Sequence, residues 1–380
     1  MRVPLKVWSA EGSIEPQCIE QMKNVCALPF AFHHVSLMPD GHLGIGASIG
    51  SVVPLKNNIV CSIIGVDIGC GMCALKTDIK NFNTEILKKV MEEVRQLVPV
   101  GFNKQKVAQD HSLMPTCRVG EVCDREYGNA LLSIGSLGGG NHFCEFQKDK
   151  EGYLWVMIHS GSRNLGKQVA DFYIKKAEAI NAKYFSSVPT EHKLAFLPLD
   201  SQEGQDYLTE MEYCVQFALA NRKLMMANVQ KVLGSNFNQI NFDPIINIAH
   251  NYARMENHFG ENVMVHRKGA TSAKLGEVGI IPSNMGNNSY IVEGKGNPDS
   301  FQSCSHGAGR TMGRKQAQRT LNLEAEKAAL DAKGIIHSVR SAEDLDEAPS
   351  SYKNMDVVMA EQQDLIKVLV ELTPLGVIKG

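Results

Sequence analysis

Short apolar runs punctuated by glycine dominate the first eighty residues: MPDGHLGIGASIGSVV over 38–53, then IVCSIIGVDIGCGMCAL over 59–75. Valine, isoleucine and serine between glycines predict strands joined by tight turns, not helix. The spacing changes at Asn83, where NTEILKKVMEEVRQLV predicts a helix to Val98 with Thr84 near its start as a cap. Residues 101–128 carry no clear period and are expected to form a surface loop. Tyr153–His159 (YLWVMIH) predicts a strand whose last residue is a histidine.

Two long helical patterns follow, from Asn164 to about Phe185 and from Glu203 to about Leu233. In the second, Leu208, Met211, Val215, Leu219, Met226 and Val229 can line one face, a stripe suited to a core. Further strands are expected at Ile245–Ala249, Val263–His266 and Ser289–Val292, and helices near Thr311–Leu330 and Met355–Leu372. Neither a repeat nor a linker interrupts the pattern. The expected architecture is α+β, one domain over 1–380, with sheets packed by helices.

Composition narrows the picture without deciding it. Of 380 residues, 43% are hydrophobic and 21% charged, which suits a well-packed core and argues against disorder. The formal net charge of −2 means that a nucleic-acid partner would need a local basic patch. No apolar run is long enough for a membrane span and the N-terminus has no signal-peptide core, so the expectation is a cytoplasmic protein without a membrane partner. The 10 cysteines are spread along the chain rather than clustered as in a disulfide scaffold. Cys70 and Cys73 have the spacing of a zinc knuckle or redox pair, but a structural zinc site would want a second such pair and none occurs.

Histidines carry the chemical signal. His142, His159, His250 and His306 each sit in a short polar or glycine-rich context at the end of an apparent strand. A single such histidine is usually structural; four of them, together with Asp67-x-x-Cys70 on a glycine turn, point to a metal site. Imidazole, thiolate and carboxylate together suit Mn²⁺, Zn²⁺, Fe²⁺ or Co²⁺ better than Mg²⁺ or Ca²⁺. A thiolate can bridge two cations, and a pair about 3.5–4 Å apart can clamp the oxygens of a phosphoryl transfer.

A second feature is Ser303-Cys-Ser-His306-Gly-Ala-Gly-Arg310, running into a helix expected from Thr311. Glycines before a helix offer N–H donors to a phosphate, with Arg310 and Arg314 one turn apart as bidentate partners. His306 at its centre can be a nucleophile that forms a phosphoramidate, or a further ligand or phosphate donor. Val265-His-Arg267-Lys268-Gly269 and His159-Ser-Gly-Ser-Arg163 add positive groups which, with Lys167 and Lys315, can form the patch that RNA requires.

These motifs resemble those of the RtcB family of RNA-splicing ligases nearly end to end. The resemblance runs through MPDGHLGIGASIGSVV (38–53), GVDIGCGM (65–72), GSLGGGNHF (135–143), HSGSRNLG (159–166), HNYA (250–253) and RKGATSA (267–273). It continues through GIIPSNMG (279–286), NSYIVEG (288–294), SCSHGAGR (303–310) and IKG (378–380). It implies a family-specific fold around a dinuclear metal cleft. The implied reaction is GTP- and Mn²⁺-dependent joining of an RNA 3′-phosphate or 2′,3′-cyclic phosphate to a 5′-hydroxyl, in splicing or repair.

By family pattern, Asp67, Cys70 and His142 would hold one manganese, and Cys70, His159 and His250 the other. His306 would become guanylylated. The implied nucleotide site comprises Asn141, His142, Phe143, Cys144, Glu145, His250, Asn251, Pro282, Ser283, Asn284, Met285, Ser289, His306, Gly307, Ala308, Gly309 and Lys379. Arg163, Lys268 and Arg310 are candidates for phosphate contacts, with Asp40 and His42 orienting the groups around them. The protein is expected to be a monomer.

The chain departs from the family in having Pro282-Ser-Asn-Met-Gly286 for the common Pro-Gly-Ser-Met-Gly, in Gly41 where many members have valine, and in a shorter stretch over 99–134. A dinuclear phosphohydrolase acting on RNA ends, and a non-catalytic RNA- or nucleotide-binding protein, are the other readings. The first has no use for a covalent carrier such as His306, and the second would tolerate loss of ligands that are all present here.

Overall fold

A computed structural model describes residues 1–117 and 120–380, and its mixture of helix and sheet agrees with the α+β expectation. Seven strands form the central sheet. Their spatial order is Val278–Ile281, Ser289–Gly294, Ile366–Lys379, Phe143–Lys148, Leu154–Ser160, Gly71–Lys76 and Ile246–Ala249. Every neighbouring pair is antiparallel.

Alternation along these strands separates two faces. Cys144 and Phe146 point into a core with Val90, Met91, Met225 and Val229, while Phe143 joins a different core on the other side with Met72 and Trp155. The helix Gln202–Asn236 packs across the first face. Met211, Val215, Met226 and Val229 of its expected stripe are buried, and Leu208 and Leu219 half-buried.

A five-stranded sheet lies beside it, ordered Leu5–Val7, Val35–His42, Ile49–Leu55, Glu261–Lys268 and Asn251–His258. The chain leaves this sheet at Gly269 and forms a two-stranded ribbon, Ala270–Ser272 against Ser303–Ser305. The ribbon ends directly before His306. Gly269 is required there: its φ is +57°, and a Cβ would stand 2.3 Å from the Ile49 side chain and 3.0 Å from the His306 ring.

Several expected elements differ from those observed. The stretch 355–372 is not one helix: Met355–Ala360 is helical and Ile366 opens a 14-residue strand. An apolar run of this kind fits either period, and pairing with Ser289–Gly294 and Phe143–Lys148, both distant in sequence, decides it. The helix expected over Thr311–Leu330 is two, Arg314–Thr320 and Leu323–Ala332, because Asn322 caps the second by accepting from the Ala325 N–H. Asn83, not Thr84, caps the helix Thr84–Leu97. Cys61–Ile64 forms one helical turn among the expected strands. The stretch 101–128 contains turns and the helix Glu121–Arg125; its positions 118 and 119 lie outside the described residues.

Candidate metal centre and nucleotide cleft

Strand ends and one glycine turn bring five ligand-type residues together. Gly71–Lys76 starts just after Cys70, Leu154–Ser160 carries His159 near its end, and His250 follows Ile246–Ala249. The Cys70 Sγ lies 3.3 Å from His159 Nε2 and 3.5 Å from His142 Nε2. His142 Nε2 is 3.1 Å from an Asp67 oxygen, and His159 Nε2 is 3.4 Å from His250 Nε2. Among the described residues, Cys70, His142 and His159 form a group able to hold a cation.

The protonation states suit that use. Burial, reinforced by the neighbouring His142, pushes His159 well below the ordinary imidazole range. Burial and the nearby His306 do the same to His250. Burial also opposes ionisation of Asp67, but the His142 ring bonded to it outweighs this and brings the carboxyl down to about 2. Burial and the Asp67 charge hold the Cys70 thiol far above its usual value when no cation is present. The His159 Nδ1–H donates to the Asn141 carbonyl at 3.0 Å, which leaves Nε2 free to face the cluster. Neutral imidazoles, a carboxylate and a thiol that a cation would ionise are a donor set matching a transition-metal ion. Among the described residues, the buried Nδ1 atoms of His142 and His250 have no hydrogen-bond partner.

Backbone glycines make room for this packing. A Cβ at Gly138, where φ is +100°, would stand 2.4 Å from His142 Nδ1 and 2.8 Å from Arg163 Nη1. Behind the cluster, two consecutive residues of the long helix organise the loops. The wholly buried Arg222 donates to the carbonyls of Gly69, Ser160 and Ile248 and to the Asn247 side chain. Asn221 accepts from the Gly135 and Ser136 N–H groups and donates to the carbonyls of Ser136 and Gly161. Sequence reasoning missed both; a polar Asn-Arg pair on the apolar face of a helix was the available signal.

His306 stands next to the cluster, with its ring 4.8 Å from that of His250. Asp40 fixes it. One oxygen of this fully buried carboxylate accepts from His306 Nδ1 at 2.7 Å, and from the N–H groups of His306 and Gly307 at 3.0 and 3.2 Å. Burial disfavours the charge, but the His306 contacts more than offset this and hold the carboxyl below its ordinary value. The expected phosphate cradle is therefore partly corrected: two of its N–H donors are engaged by Asp40. His42 is bonded to the Asp40 carbonyl, and burial lowers it to about 4.

The imidazole opens onto a cleft of about 560 Å³, within the usual size of a small-molecule site. Asn141, Phe143, Glu145, Pro282, Ser283, Asn284, Met285, Gly307, Ala308, Gly309 and Lys379 line it. Cys144 does not, because strand alternation turns it into the opposite core. Ser289 lies behind the wall, its hydroxyl accepting from the Ser283 N–H, and Asn251 bridges the Asp67 carbonyl and the Gly269 N–H. Asn284 accepts from the Gly286 N–H and so closes its own turn.

Glu347 is the wall residue that sequence reasoning overlooked. It is buried between Arg314 at 2.9 Å, Arg310 at 3.2 Å and Lys379 at 3.6 Å. Burial opposes its charge, and the three cations, Lys379 foremost, overcome that and lower it to about 2. Burial makes Glu145 the opposite case, raised to about 8.

The positive stretch over 265–268 is not a surface patch. Arg267 is buried and paired with Glu256 at 2.6 Å, and His266 is buried as well. Lys268 is buried against the Ile45 and Ser62 carbonyls, and burial lowers it to about 7. Lys167 pairs with Asp171. Arg163 lies at the cluster, donating to the Gly101 carbonyl and the Ser136 hydroxyl at 2.9 Å each.

A family model described as tRNA-splicing ligase RtcB matches residues 21–117 and 104–380. The chain is 36% identical over 404 residues to the RNA-splicing ligase RtcB of Escherichia coli K12, covering 99% of this chain and 97% of that protein. It is 30% identical to the tRNA-splicing ligase RtcB of Methanococcus maripaludis, covering 100% of this chain and 95% of that one. The RNA-splicing ligase RtcB of Mycobacterium tuberculosis is 32% identical, with 95% and 100% covered.

Proposed function

Because the chain belongs to the RtcB family and is an RNA ligase, we propose that it joins RNA 3′-phosphate or 2′,3′-cyclic phosphate ends to 5′-hydroxyl ends, with GTP and manganese, through guanylylated His306. One observation carries the reading. The His306 ring is anchored through Nδ1 by buried Asp40, lies against His250, and opens onto a nucleotide-sized cleft.

That anchoring has a chemical consequence. A proton held on Nδ1 by the Asp40 carboxylate leaves the lone pair on Nε2. His306 Nε2 attacks the α-phosphorus of GTP, the bond to the β-phosphate oxygen breaks, and pyrophosphate leaves. Asp40 offsets the positive charge that develops on the ring. An oxygen of the RNA 3′-phosphate then attacks the same phosphorus, breaks the N–P bond and takes the GMP. The 5′-hydroxyl of the second strand attacks the activated 3′-phosphorus, loses its proton and expels GMP. A cyclic end must first be opened by water to the 3′-phosphate.

Asp67, Cys70 and His142 would hold one manganese ion and Cys70, His159 and His250 a second, making a dinuclear cleft. Bound there, the metal would supply positive charge beside the reacting phosphates. Glu145, held neutral by burial, can both donate and accept hydrogen bonds toward a base, and Lys379, Arg310 and Arg314 line the same cleft. We place the enzyme in the cytoplasm as a monomer with one catalytic domain over 1–380.

Incubation with Mn²⁺ and α-labelled GTP should give an acid-labile protein adduct that His306→Ala lacks. Label retained by His306→Ala would remove the carrier role. No observation here favours the hydrolase reading over this one.

A further inference from the structure

The turn formed by Val100, Gly101, Phe102 and Asn103 has a use that neither the ligand cluster nor the nucleotide cleft absorbs. Phe102 is fully exposed at its apex. A single exposed apolar residue is ordinary, but this one stands on a braced support. The Gly101 carbonyl accepts from Arg163 at 2.9 Å, and the Gly101 N–H donates to the Gly138 carbonyl at 2.9 Å. Gly138 in turn abuts the His142 ring, one of the five clustered ligands. The Asn103 N–H closes the turn on the Val100 carbonyl at 3.2 Å. Phe102 is thus tied, through one backbone bond and one guanidinium at Gly101, to the place where phosphates would react.

The following residues extend this strip. The Gln105 N–H donates to the Leu132 carbonyl and its side chain to the Gly135 carbonyl, so the backbone is pinned here too. Lys104 and Lys106, on either side of that anchor, are exposed. An aromatic ring followed by two lysines, on pinned backbone beside a phosphate-handling centre, is the combination that holds single-stranded nucleic acid: the π-face takes a base and the ammonium groups take the backbone. The other strongly exposed aromatic rings differ. Tyr184 and Phe185 end a helix, and Phe259 stacks on His33.

We propose that Phe102 is a stacking platform for an unpaired base close to the RNA end that reacts at this centre, with Lys104 and Lys106 contacting the phosphates of the same strand. The proposal rests on RNA being the substrate but not on the covalent histidine.

The test is equilibrium binding of a short, fluorescently labelled single-stranded RNA ending in a 3′-phosphate to the full chain with Mn²⁺. Phe102→Ala should weaken binding by roughly five- to a hundredfold, the range that loss of one base–aromatic stack produces. Phe102→Trp should restore it. A series of RNAs with one abasic position each should show a penalty at a single site near the end with the native chain, and little penalty there with Phe102→Ala. His306 labelling by GTP alone should be the same in all three proteins. RNA affinity unchanged in Phe102→Ala overturns the proposal and turns the exposed ring toward a protein partner. Absence of a position-specific abasic penalty in the native chain overturns it without any variant. Absence of labelling in the native chain would sink the covalent mechanism and leave the binding result standing.

Discussion

Around Cys70 burial keeps two imidazoles and a thiol uncharged beside one carboxylate, Asp67, whereas around Glu347 the structure gathers charges of both signs. The ligand cluster is built from buried imidazoles kept neutral, a thiol kept protonated, and carbonyls gripped by Arg222 and Asn221. The cleft wall beside it holds Arg310, Arg314 and Lys379 around one buried carboxylate, and Asp40 stays ionised against His306. On one side burial keeps the imidazole lone pairs of His159 and His250 available. On the other side three cations crowd together, and the central Glu347 carboxylate offsets their mutual repulsion. His306 stands at the boundary, with neutral His250 against one side and the Asp40 carboxylate against the other.

The sharpest way to break this contrast is at the boundary. Asp40→Asn keeps the size but removes the anion that fixes the Nδ1 proton. Labelling of His306 by GTP should slow by about 10²–10⁴-fold, the range for loss of positioned proton control, while Mn²⁺ binding is retained. A labelling rate within a few-fold of native would show that the carboxylate does not set the tautomer.

A smaller loss is expected from the ligand side. Arg222→Met leaves three backbone carbonyls without their donor and should cost about 3 kcal/mol or more in urea unfolding. It should also weaken Mn²⁺ binding, followed by calorimetry, by about 10–100-fold, as when groups supporting a ligand shell are removed. Native metal affinity in a destabilised variant would confine Arg222 to folding alone.

The mildest effect belongs to the charged wall and depends on pH. The folded value of Glu347, about 2, lies below its ordinary 4.5. Its stabilisation is therefore complete above pH 4.5 and disappears as pH falls through about 2. Glu347→Gln should be less stable than the native chain at pH 7, with the difference in melting temperature shrinking steadily below pH 4.5. A difference that stayed constant down to pH 2 would mean that the three cations do not act on this carboxylate.

Residue chemistry made much of the site legible before any fold was known. Asp67, Cys70, His142, His159, His250 and His306 stand in glycine-rich contexts whose spacing has no helical or strand purpose, and the structure brings all six together. The cleft residues 306–309 were legible for the same reason, whereas those of 282–285 were implied by the family resemblance. Glu347 was not legible, since nothing in its local sequence separates a buried ion network from a solvated charge, and the polar Asn221-Arg222 pair on an apolar helix face signalled burial without naming its partners. Arg267 misled in the opposite sense, because Glu256, its burial partner, pairs with it only across two strands.

Local periodicity by itself determined the helices Thr84–Leu97, Leu165–Lys183 and Gln202–Asn236, whose apolar spacing spans several turns and admits one period. Tertiary structure alone decided that 366–379 is a strand, and therefore that Lys379 reaches the cleft, because the two sheet strands that flank that segment lie more than seventy residues away. It also decided which carbonyls Arg222 meets and which carboxylate holds His306. Such contacts are chosen by the packing of distant segments, and no short window of residues contains them.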